Sequence, residues 1–139
     1  NGCQANTVIS IGQSSPIVIN IDAVVDVTCF DGSDGSIDVT ISGGTPVYSF
    51  LWDTGDTTED LDGLTAGNYS IRVIDANGCE AARDTVVDQP DPIDFENTIL
   101  VNASCESVED GSIQLNMVGG TMPYSYLWST GATTSEITF

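Results

Sequence analysis

The residues best spaced to do chemistry are four cysteines, Cys3, Cys29, Cys79 and Cys105. None forms a C-x-x-C pair, so a structural zinc site would need four scattered thiolates to converge, and disulfides are the simpler reading in an oxidising compartment. The favoured pairing is Cys29 with Cys79, because each is expected to close an inward-facing stripe. A bridge between them closes a loop of roughly 50 residues, worth about 4 kcal/mol in the chain-entropy model. Cys3 and Cys105 would then take partners outside these 139 residues. A second pairing, Cys3 with Cys29 and Cys79 with Cys105, satisfies all four and staples neighbouring units. Both remain open on the sequence.

The acids are the second candidate. Asp31, Asp34 and Asp38 fall together, as do Asp53, Asp56, Glu59, Asp60 and Asp62, and several turn carboxylates are the donor set that calcium takes. Their spacing is not that of an EF-hand loop. The rest of the catalytic repertoire is missing: the chain has no histidine, and its only basic residues are Arg72 and Arg83. No usual serine or cysteine triad, Schiff base or histidine-type zinc site can be assembled from that set. Carboxylate-pair hydrolysis would need an aromatic cleft, yet the aromatics are needed for a core. The chain therefore reads as a non-enzyme without a cofactor, calcium being the one exception left open. Its net charge of -19 repels polyanions, which excludes nucleic acid and anionic membrane surfaces as partners.

The elements that must hold these residues emerge from an internal repeat. Shifted by 76 residues, Asn1-Gly2-Cys3 returns as Asn77-Gly78-Cys79, and Asp34-Gly35-Ser36-Ile37 as Asp110-Gly111-Ser112-Ile113. Gly43-Gly44-Thr45, Tyr48-Ser49 and Leu51-Trp52 return as Gly119-Gly120-Thr121, Tyr124-Ser125 and Leu127-Trp128. A period this long marks whole domains in series. Proline-bearing linkers at Gln13 to Pro16 and Gln89 to Pro92 set the expected boundaries. Residues 1–16 would be the last strand and linker of one repeat, 17–92 a complete repeat, and 93–139 the first part of another. The repeat also weighs the calcium reading: Asp31, Asp38, Asp53, Asp56 and Glu59 become Ser107, Gln114, Ser129, Ala132 and Ser135. Asp34 keeps an acid, Asp110, before a glycine where an Asx turn explains it. Solvated, mutually repelling loop acids are thus favoured over a metal site.

Alternation of period two runs through the chain and no window carries a helical stripe. Ile17, Ile19 and Ile21 share one face, with Val25, Val27 and Cys29 expected to continue it in a second piece beyond a short break. Ile37, Val39 and Ile41 form a half-buried strand, followed by Tyr48, Phe50 and Trp52, and then by Tyr69, Ile71 and Val73. About seven strands per unit predict an all-β architecture of tandem immunoglobulin-like β-sandwiches, akin to fibronectin III or PKD domains. The expected core aromatics are Trp52, Tyr69 and Tyr48 in one copy, and Trp128 and Tyr124 in the next. Tyr69, after Leu64 to Asn68, reads as a tyrosine corner or as an ordinary core residue.

The string Val27-Thr28-Cys29, Asp34-Gly35-Ser36-Ile37, Gly43-Gly44-Thr45, Tyr48, Trp52, Leu64, Ala66-Gly67-Asn68-Tyr69 and Asp75-Ala76-Asn77-Gly78-Cys79 resembles the SprB repeat family. The resemblance implies a tandem module of a very large Bacteroidetes surface adhesin, exported by type IX secretion and, in gliding species, moved along the cell surface. It carries no active site. In that setting Thr85 and Thr57, each in an Asp-Thr context, become candidates for O-glycosylation. The expected function is an extracellular stalk or spacer whose partners are neighbouring repeats, with polysaccharide or another adhesion ligand bound at a distal region. Two alternatives stand beside it: a polysaccharide-binding module, and a filament subunit assembling by strand addition through Asn1 to Ile11.

Overall fold

The computed structural model describes residues 12–105 and 108–138. Cys3 and the expected donor strand Asn1 to Ile11 lie outside the described residues. The described chain is all-β, a β-sandwich architecture of antiparallel sheets, with no helix among the described residues. Six strands fill the expected complete repeat: β1 (Val18–Val25), β2 (Gly35–Ser42), β3 (Ser49–Trp52), β4 (Leu61–Leu64), β5 (Gly67–Ile74) and β6 (Glu80–Val87). They form two sheets of order β1-β2-β4 and β3-β5-β6. Three further strands, β7 (Asp94–Val101), β8 (Ser112–Val118) and β9 (Glu136–Thr138), make a third sheet in that order.

The alternation read from the sequence becomes the interior. Ile37 and Val39 on β2 are buried between exposed Asp38 and Thr40. On β5, Tyr69, Ile71 and Val73 point inward, and β3 pairs antiparallel with it so that Trp52 faces Ile71. Ile71 and Val73 are wholly buried and Trp52 is 2% exposed. Burying a side chain of this size stabilises by about 1.5–3 kcal/mol, so these positions dominate the module's energetics.

One stripe departs from expectation. Ile17 and Ile21 are half-buried around buried Ile19, but the parity changes beyond Ala23: Val24 is half-buried while Val25 is exposed. The expected break is therefore a shift of one residue inside a single strand, and a one-residue shift turns every later side chain to the other face. Val27 returns to the interior, but Cys29 falls in an exposed turn closed by Gly32 N–H donating to the Cys29 carbonyl at 3.0 Å. The module has six strands where about seven were expected, since β1 is continuous where two pieces were read.

Backbone contacts divide the chain into two compact units. One takes in residues up to Ala23, Ile37–Leu61 and Asn68–Thr85, with its core at Ile19, Ile37, Val39, Trp52, Leu61, Tyr69, Ile71 and Val73. The other takes in Val24–Ser36, Asp62–Gly67 and Val86 onward. Within it Gly35 is closely packed, where an added Cβ would lie 2.8 Å from Val87 Cγ1 and 3.0 Å from the Leu64 carbonyl oxygen.

Candidate functional site at the linker turns

Among the described residues, the turns that seat the Pro16 linker form a dense polar construction. The linker ends at Pro16, and its carbonyl lies so close to Gly43 that a Cβ there would sit 2.0 Å from the oxygen. Gly43 and Gly44 both hold positive φ, 72° and 61°, a region where side-chain-bearing residues are strained. Gly44 N–H donates to the Ser15 carbonyl at 2.9 Å, and the Tyr48 hydroxyl donates to the Gly43 carbonyl at 2.6 Å. The linker is therefore hydrogen-bonded onto the repeat that it introduces.

Asp75 completes this corner. It is 5% exposed, a buried polar residue of the core, and opens the turn Asp75-Ala76-Asn77-Gly78. One carboxylate oxygen accepts the amides of Asn77 (2.9 Å) and Cys79 (2.8 Å), and the other accepts the Thr45 amide (2.9 Å). Burial alone would raise its pKa, but the amides of Cys79, Thr45 and Asn77 outweigh it and hold the carboxyl below its ordinary value. Thr45 also accepts Asn77 Nδ2 at its hydroxyl (2.8 Å) and Ala76 N–H at its carbonyl (3.0 Å). The Asp75–Cys79 turn is thus folded around one carboxylate and seated on one threonine.

The second construction is the loop after β1. Asp34 accepts the Thr28 hydroxyl and the Thr28 amide, which together lower its pKa. Asp31 adopts a φ of 57°, and its amide donates to Gln89 Oε1 at 2.8 Å. Asp38 points outward from β2. Of these three acids, Asp34 has its carboxylate held by Thr28 and Asp38 faces outward, and among the described residues no three His, Cys, Asp or Glu side chains are grouped to hold a metal.

The expected Cys29–Cys79 bridge is not formed: both are exposed thiols, as is Cys105. Cys29 lies in the turn before β2, and Cys79 in the turn seated on Thr45. Thr57 is exposed and Thr85 half-buried on β6. Among the core aromatics, Trp52 and Tyr69 are buried, Tyr48 and Tyr124 half-buried, and Trp128 half-buried.

The linker construction occurs twice. Gly119 and Gly120 hold φ of 71° and 59°, a Cβ on Gly119 would lie 2.0 Å from the Pro92 carbonyl, and Gly120 N–H donates to Asp91 at 2.7 Å. Tyr124 bonds the Gly119 carbonyl, and Ser104 bonds Asp110 as Thr28 bonds Asp34. Such duplication defines a tandem β-sandwich repeat protein.

Two segments, residues 21–57 and 97–133, match the SprB repeat, with the same spacing between their starts as between their ends. Together they span more than half of the sequence, and the chain belongs to the SprB repeat family. No curated protein and no solved structure matches it.

Proposed function

We propose that the chain is a spacer segment of a large cell-surface adhesin, extending a distal adhesive region away from the cell and bearing load along its length. Family membership supports a surface repeat of Bacteroidetes. The observation that carries the spacer reading is the docked linker, built from the same bonds at Pro16 with Gly43-Gly44 and at Pro92 with Gly119-Gly120. A proline linker tied by its carbonyls to the following repeat loses the hinge freedom that an untied one keeps. The polar machinery goes into local geometry, and the chemistry-bearing residues are dispersed over separate turns. Its partners on this reading are neighbouring repeats, with adhesion ligands bound elsewhere.

The test is small-angle X-ray scattering on chains of two, four and six repeats. A spacer gives a maximum dimension that grows linearly, by roughly 30–40 Å per repeat from strand lengths plus linker. Growth with the square root of repeat number would refute it.

A further inference from the structure

Exposed thiols and the duplicated threonine together indicate where the missing bridge belongs. In the complete copy, Thr45 is covered by the Asp75–Cys79 turn through three hydrogen bonds. Its counterpart Thr121 is exposed, and its hydroxyl donates to the Thr28 carbonyl at 2.9 Å. That bond leaves the Thr121 oxygen able to accept, as Thr45 accepts Asn77. Beside it lies a cavity of about 330 Å³, walled by Cys29, Phe30, Pro92, Ile93, Gly120 and Thr121. All of these residues belong to one compact unit.

The first copy shows what such a space takes. An added Cβ on Gly44 would meet Asp75 Oδ2 at 3.2 Å, whereas on Gly120 it would meet only Ile93 and Tyr124. The place that the aspartate fills against Gly44 is open against Gly120.

We propose that this cavity seats a second copy of the Asp-Ala-Asn-Gly-Cys turn, that of the repeat introduced by Pro92 when carried in full, and that Cys29 forms a disulfide with its cysteine. Two relations place the thiols together. Cys29 directly follows the carbonyl that Thr121 holds. The turn's cysteine amide, by the geometry of Cys79, is held by the carboxylate that also binds the threonine amide. Each bridge then ties the loop after the first strand of one repeat to the Asp-Ala-Asn-Gly-Cys turn of the next, and Cys79 takes the equivalent cysteine of the repeat before it. The bond forms by exchange with a small-molecule disulfide: one thiolate attacks it, the second displaces the mixed disulfide, and two cysteine thiols are oxidised as one disulfide is reduced to two thiols.

The experiment adds to the full 139-residue chain a nine-residue peptide copying Ile74 to Ala82, in a reduced and oxidised glutathione buffer, with non-reducing peptide mapping. A scrambled peptide of the same composition is the control. The peptide is expected on Cys29 in preference to Cys79 and Cys105 by about tenfold over the control, the gain that seating by effective concentration gives; Thr121→Val abolishes the preference. In parallel, a chain extended through the whole next repeat is mapped, and Cys29 is expected to be joined to the cysteine one repeat beyond Cys79. Cys29 joined to Cys79 of its own repeat, or left reduced in the extended chain, overturns the proposal. Either result leaves the spacer reading untouched, because the scattering experiment tests it separately.

Discussion

The two copies of the repeat share their loop bonds and differ in the cores of their described residues. Trp52 donates its indole N–H to the Thr58 carbonyl at 3.0 Å, and Trp128 donates to Thr134 at 2.7 Å. The backbone turns beneath them match: Trp52 N–H to Asp56 and Trp128 N–H to Ala132 are both 2.9 Å. Yet Trp52 is 2% exposed while Trp128 is only half-buried, and every residue of β7 is exposed. Ile137 is the large side chain that the β7-β8-β9 sheet buries. The contrast separates two kinds of structure. Tight turns are specified within a dozen residues by glycines, hydroxyls and acids, whereas burial needs the facing sheet that β3, β5 and β6 supply in the first copy.

The largest expected break in that comparison is Trp52→Ala, which empties a packed core position and should cost about 3–5 kcal/mol in urea denaturation. Trp128→Ala should cost no more than about 1 kcal/mol, as at half-exposed positions generally. Equal losses would mean that the second tryptophan is as deeply packed as the first. Gly43→Ala comes next, combining a positive φ of 72° with a methyl 2.0 Å from the Pro16 carbonyl oxygen. The backbone term alone is about 1–2 kcal/mol, and Gly119→Ala should behave alike because its surroundings are the same.

Asp75→Asn tests the charge at the folded turn. The Asp75 pKa lies below its ordinary value in the fold, so ionisation stabilises the native state at every pH above the unfolded value of about 3.9. That contribution disappears as pH falls through the lower, folded value. The variant should melt below the parent at pH 7, with the gap in melting temperature closing in acid; a gap constant with pH would show that the charge is irrelevant. The smallest effect belongs to the matched hydroxyls. Tyr48→Phe and Tyr124→Phe each remove one bond to a glycine carbonyl, worth about 1 kcal/mol or less, and similar in the two copies.

Much of this was visible in the chain itself, for reasons that the two copies make plain. Ile37, Val39, Ile71 and Val73 alternate with polar residues, and a sheet with one buried face requires that pattern. The glycine pairs and the prolines marked the joints because positive φ and a fixed backbone angle leave few substitutes. Two things were hidden. A parity change inside β1 cannot be read from alternation, since Val24 and Val25 are the same residue type. The role of Asp75 was hidden because its partners, Thr45 and Cys79, are distant from or beyond the turn that announced it; only the fold brings that threonine beneath the carboxylate.

The docked linker limits how such an array can change over generations. A proline carbonyl lodged against a glycine backbone leaves no slack between them, and the number of residues from Pro16 to Gly43 equals that from Pro92 to Gly119. Substitutions on the outward strand faces between those points, as at Asp38 and Thr40, leave that docking untouched. An insertion there has to bulge outward without lengthening the span, which makes copy number, not module length, the adjustable quantity in an array of these repeats.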